Sequence, residues 1–109
     1  PVDIGSAWLD KIGLHNRDDF FKILDKFDNV RGVLWGHIHQ EWQSERNGVS
    51  LLATPSTCIQ FLPKSSGFAV ENIAPGYRWL SLHADGRIES KVYRAEEFKF
   101  DLDLKSTGY

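Results

Sequence analysis

The sequence predicts an α+β fold, with one main helix and mostly antiparallel strands, in a single unit of 109 residues. Three observations carry that reading. Phe20, Ile23, Leu24 and Phe27 recur at the spacing of one helix face. Val33, Leu34 and Trp35 then run without alternation, as in a strand buried on both faces. Two turn signals, Asn47-Gly48 and Asp85-Gly86, lie further on between segments of strand character.

Taken in order, Pro1 to Leu14 has no clean period, and Gly5, Ser6 and Gly13 mark it as loop, with one helical turn over Ala7 to Ile12. Asn16 stands where a side-chain oxygen can accept the orphan N–H groups of a first turn. Asp18 and Asp19 follow, where the helix dipole favours negative charge. Asn29 is the expected stop, and Val30 to Trp35 the first strand. Glu41 to Arg46 and Val49 to Ala53 form a hairpin around Asn47-Gly48, a pair suited to a type I′ turn. Thr54-Pro55-Ser56 interrupts the pattern and Thr57 to Leu62 reads as another short strand. Pro63 to Gly67 is loop, Phe68 to Ile73 stays open, and Ala74-Pro75-Gly76 is a turn. Tyr77 to His83 alternates and passes through Ala84-Asp85-Gly86 into Arg87 to Arg94, a second hairpin. The tail, Ala95 to Tyr109, alternates charged and apolar residues and turns polar at its end. One helix cannot cover both faces of such a sheet, so the pattern points to missing layers or a partner chain.

Composition excludes several classes. A net charge of −2 carries no basic excess, which argues against a nucleic-acid partner. No apolar run approaches the roughly 18 residues of a membrane span, and no signal-peptide pattern opens the chain. The one cysteine, Cys58, rules out an internal disulfide framework, and the cytoplasm is the simplest compartment. The chain opens on Pro1 and holds no methionine, so either an initiator was removed or this is a piece of something longer.

The chemistry concentrates in VLWGHIHQ, Val33 to Gln40. Histidine is the commonest metal-ligating side chain. His37 and His39 stand two apart just past a strand end, where ligands collect in open α/β sheets, and Gly36 lets the backbone turn. They can address one metal or two; a surface pair is the bland alternative. His15 lies among polar residues beside the helix start and reads as solvated, and His83 sits near a hairpin tip. Cys58, in an apolar segment, reads as a small core residue rather than a nucleophile. Asp101 and Asp103 read as a solvated face, and Gly5 and Gly13 make no phosphate-binding fingerprint.

VLWGHIHQ followed by a hairpin and LLATPSTCIQF closely resembles the bacterial class III cyclic-AMP phosphodiesterases, which are calcineurin-like metallophosphoesterases. GSAWLD, IAPGYRWLSLHADG and the terminal Gly108-Tyr109 extend the resemblance over nearly the whole chain. It implies a four-layer αββα sandwich and an active site with two divalent metals, iron, manganese or zinc. It implies hydrolysis of cyclic AMP to 5′-AMP by a hydroxide bridging those metals. The family's ligands come from D-x-H, G-D-x-x-D, G-N-H, a lone-histidine segment and G-H-x-H. His37 then matches the ligand of the metal shared with the Asn and the lone His, and His39 the ligand of the metal held by D-x-H.

The other four segments are missing, and Pro1 resembles the proline of the His-Pro that ends the fourth. The resemblance thus implies a C-terminal fragment, residues 1–109 being one portion of a metallophosphoesterase domain without its N-terminal ligand-bearing part. From this follow three expectations. The chain alone is inactive and holds metal weakly, because two imidazoles under-coordinate it. Its substrate, a cyclic nucleotide, belongs to the intact enzyme. The unpaired edge of Val30 to Trp35 favours a homo-oligomer. Two rival readings are a non-catalytic β-rich module for self-association or partner binding, and a mononuclear zinc protein using His37, His39 and a distant third ligand.

Overall fold

The computed structural model describes residues 1–98 and 101–106. Its elements run α1 (Ala7–Asp10), α2 (Arg17–Leu24), β1 (Gly32–Trp35), β2 (Trp42–Arg46), β3 (Val49–Ala53), β4 (Gln60–Phe61), β5 (Val70–Glu71), β6 (Gly76–Leu82) and β7 (Ile88–Arg94). This is a small α+β arrangement with mostly antiparallel strands. The parallel pair is β1 with β3; β2–β3, β4–β5 and β6–β7 are antiparallel.

The main helix is shorter than its apolar stripe. α2 closes at Leu24, and the chain turns through Lys26 N–H to the Ile23 carbonyl and Phe27 N–H to the Leu24 carbonyl. Asp25 caps it, its N–H still donating to the Phe21 carbonyl at 2.9 Å, while Arg46 holds its carboxylate in a two-pronged contact (3.2 and 2.6 Å) and Asn47 adds a third bond at 3.4 Å. Arg46 also lies over the Phe21 ring, 4.7 Å from its centroid. These ties seat α2 on the β2–β3 turn, yet no residue of α2 is buried. Phe27 falls beyond the helix and is exposed. Asn16 flanks the helix without a side-chain cap bond.

β3 is the centre of the main sheet, in the order β1-β3-β2. The hairpin follows the turn prediction: Asn47 and Gly48 both take positive φ, 50° and 77°. The expectation that Val30 to Trp35 is buried on both faces is corrected. β1 is an edge strand whose residues alternate exposed and half-buried, with Leu34 52% exposed. β3 takes the central place instead, with Leu51, Leu52 and Ala53 all buried. The core gathers Leu9, Ile38, Ala53 and Phe61, with Trp8, Trp35, Trp42 and Phe68 packed around it.

The second hairpin caps this sheet. Arg78 Nη2 donates to the Ala53 carbonyl at 2.7 Å, and Gly76 N–H to the Ser56 carbonyl at 2.8 Å. Gly76 must be small: a Cβ there would stand 2.8 Å from Pro55 Cγ and 3.2 Å from the Tyr93 carbonyl. The open segment at Phe68 to Ile73 supplies β5, which pairs with β4. The predicted strand over Thr57 to Leu62 shrinks to Gln60 and Phe61. Gly108 and Tyr109 lie outside the described residues.

Candidate metal centre

The histidines sit on an arch over the end of β3. Trp35 and Trp42 are both register partners of Ala53, one from each side. The six residues between them cross only two strand spacings, about 10 Å. Ala53 is small and fully buried, so the two tryptophan rings meet across it at 5.5 Å. Thr54 N–H donates to the Trp35 carbonyl at 2.9 Å and closes the base of the arch.

The surplus length is taken up by two left-handed residues, His37 (φ 66°) and His39 (φ 50°), on either side of buried Ile38. Ile38 N–H also donates to the Gly36 carbonyl at 2.7 Å, a tight local turn. Left-handed backbone at a non-glycine residue costs on the order of 1 kcal/mol and gathers at functional sites. Ile38 anchors the arch in the core, while each histidine lies outside it.

The two imidazoles differ. His37 is exposed and borders an open cleft of about 390 Å³ with Leu9, Ile12, Leu14 and Trp35 among its walls. His39 is half-buried, and Phe61 lies flat against its ring at 4.1 Å and 7°. Burial pushes the His39 pKa below its ordinary value; a hydrogen bond to the Ile59 backbone opposes that shift and nearby His37 reinforces it. The neutral ring is the form that ligates metal, and a backbone carbonyl on one ring N–H is the usual outer partner of a metal-bound histidine.

These features fit two imidazole ligands and not a complete shell. Among the described residues no group of three His, Cys, Asp or Glu side chains could hold a metal ion. His15 is exposed, and His83 lies 3.4 Å from Glu89 at the second hairpin, so neither joins the pair. Cys58 is exposed rather than in the core, a second correction. The turn that carries it points Gln60 and Phe61 inward instead, each 1% exposed. Asp101 and Asp103 are exposed, as expected, outside any strand.

The sequence reading missed Gln60 and Phe61 as parts of this site. The available signal was a glutamine interrupting the apolar segment Cys58 to Leu62. Such a residue is usually buried with its amide satisfied, as Gln60 is by Ser56 and Cys58.

A 3′,5′-cyclic adenosine monophosphate phosphodiesterase, CpdA, of Pseudomonas aeruginosa is 50% identical over all 109 residues. The whole chain matches the bacterial cyclic-AMP phosphodiesterases. The CpdA of Escherichia coli strain K12 is 47% identical over the same 109 residues. A 3′,5′-cyclic-nucleotide phosphodiesterase of Nostoc is 43% identical over 107 residues. The chain spans about 40% of the length of these relatives (40% for the first two, 39% for the third). No family model matches the chain, and no solved structure matches it. No helix among the described residues is long and apolar enough to cross a membrane.

Proposed function

We propose that this chain supplies the His-x-His portion of a dinuclear metal centre in a phosphodiesterase that hydrolyses 3′,5′-cyclic AMP to 5′-AMP. The observation that carries the reading is the arch: two left-handed histidines on either side of a buried isoleucine, one of them stacked on Phe61. The names of the matching relatives supply the substrate class. The metals would be iron, manganese or zinc, each held through one imidazole of this chain, His37 or His39. Bound metals of this kind activate water and neutralise charge on phosphoryl oxygens. The chain's own part is to present two neutral imidazoles from one rigid turn. We assign none of its residues to proton donation to the leaving oxygen.

The remaining ligands belong to segments outside this sequence, in a four-layer αββα sandwich to which β1, β2 and β3 would contribute. The 109-residue chain alone is therefore inactive and binds divalent metal weakly. The unpaired edge of β1 favours self-association of this chain. The full protein would work in the cytoplasm.

A segment exchange tests the reading. The 109 residues replace the matching segment of the Pseudomonas aeruginosa relative, and cyclic-AMP hydrolysis is measured with manganese. Hydrolysis that persists in the chimera and is lost with His37→Ala or His39→Ala supports it. Retained hydrolysis in the double variant His37→Ala/His39→Ala overturns it. Metal-dependent turnover by the 109-residue chain alone, abolished in that double variant, would refute the inactivity of the isolated chain.

A further inference from the structure

Resting on the reading of His39 as a metal ligand, we propose that Gln60 and Phe61 together form the positioning element for its imidazole. An imidazole lone pair lies in the plane of the ring. Its direction is therefore set by two things: where the ring plane lies, and which way the ring is turned within that plane. Phe61 sets the first and the turn braced by Gln60 sets the second.

Phe61 lies parallel to the His39 ring at 4.1 Å. It cannot tilt freely, because Trp8 meets it edge-on at 5.0 Å and Phe68 at 5.6 Å. The plane of the imidazole is thus fixed by a ring that is itself wedged.

Gln60 works through the backbone. Its Oε1 accepts from Ser56 N–H at 3.1 Å. Its Nε2 donates to the Ser56 carbonyl at 2.7 Å and the Cys58 carbonyl at 3.1 Å. Both ends of the buried amide are spent inside one turn, so opening the turn would strand them away from water. The Ser56 carbonyl also receives Gly76 N–H from β6, which ties the turn to the second hairpin. Ile59 sits between these braces with its backbone at the His39 ring, and Phe61 N–H, next but one along, donates to the His39 carbonyl at 3.4 Å and ties the arch to this turn. His37 is exposed and does not share this stack.

The test uses the 109-residue chain, NMR of the imidazole nitrogens and titration with Zn²⁺ alone. Gln60→Ala and Phe61→Leu should each move the His39 ring nitrogen signals. Each should also weaken Zn²⁺ binding about 10- to 100-fold, the usual loss for an outer partner of a ligand. The His15 and His83 ring signals and the far-ultraviolet dichroism should stay as in the parent. Should Gln60→Ala not fold, Gln60→Met keeps the length without the amide and gives the same readouts, as does Phe61→Leu. Folded variants whose His39 signals stay at the parent positions overturn the proposal. His39→Ala separates the two readings. Unchanged Zn²⁺ binding in that variant refutes the ligand role, while the His39 signals of the other variants still judge the positioning.

Discussion

Strands β1 and β3 lie side by side, run parallel and are both rich in apolar residues. Their fates differ. Leu51 and Leu52 face opposite sides of β3, and both are buried. Leu34, at the register position opposite Leu52, is half exposed. β3 has a partner on each edge, whereas β1 has one. An apolar strand therefore records a need for cover. Whether the cover is present depends on what else the chain contains.

The sharpest way to break that comparison is by truncating buried and exposed apolar side chains. Phe61→Ala should cost about 3–5 kcal/mol and Leu51→Ala about 2–5 kcal/mol in denaturant unfolding. Leu34→Ala should stay within about 0.5 kcal/mol, as exposed positions do. Equal losses at Leu34 and Leu51 would mean that β1 is covered in solution. Next in size is Gly76→Ala. Its Cβ would meet the Pro55 ring and the Tyr93 carbonyl, and we expect a loss of about 1–3 kcal/mol by the same measurement.

Self-association probes the open edge directly. The parent chain should show a dimer or larger species by light scattering at high concentration. Leu34→Lys should lower its apparent mass, since a charge on an edge strand opposes pairing. A parent chain that stays monomeric throughout would remove the edge as an interface.

The smallest effect is electrostatic. Arg46, through hydrogen bonds and then through its charge, holds the Asp25 carboxyl below the ordinary carboxylate range. The folded chain therefore binds fewer protons there than the unfolded one. The stabilisation is present above the unfolded pKa and is lost as pH falls through the folded value. Asp25→Asn should lower stability near neutral pH and flatten the acid limb of a stability-versus-pH curve. An acid limb identical to the parent's would show that the pair contributes nothing.

Local chemistry was the most legible part of the sequence. Asn47-Gly48 needs positive φ at both residues, so the turn could be placed from two letters. The Ala84-Asp85-Gly86 turn was legible for a similar reason, with Gly86 at φ 85°. His37 and His39 were legible as a pair because their spacing and chemistry are local. Three other features were less legible, two of them because they depend on residues distant in sequence. The seat of α2 depends on Arg46, which reaches the Asp25 carboxylate from β2. The exposure of Cys58 follows from a turn whose inward direction is set by Gln60. The edge position of β1 follows from β3 inserting between two strands that precede it in the chain. No window around Val33 to Trp35 contains that information.

The arch over Ala53 also sets an order of events. The β2–β3 hairpin closes across Asn47-Gly48, a short loop with little entropy to lose. β1 must then dock on the finished hairpin, pairing Gly32 with Ser50 and Trp35 with Ala53. The histidine loop reaches its final shape only at that second, slower closure. Amide exchange should accordingly be faster in β1 than in β3, with the loop between Trp35 and Trp42 tracking β1. The pair of imidazoles thus belongs, kinetically, to the docking of β1 rather than to the closing of the hairpin.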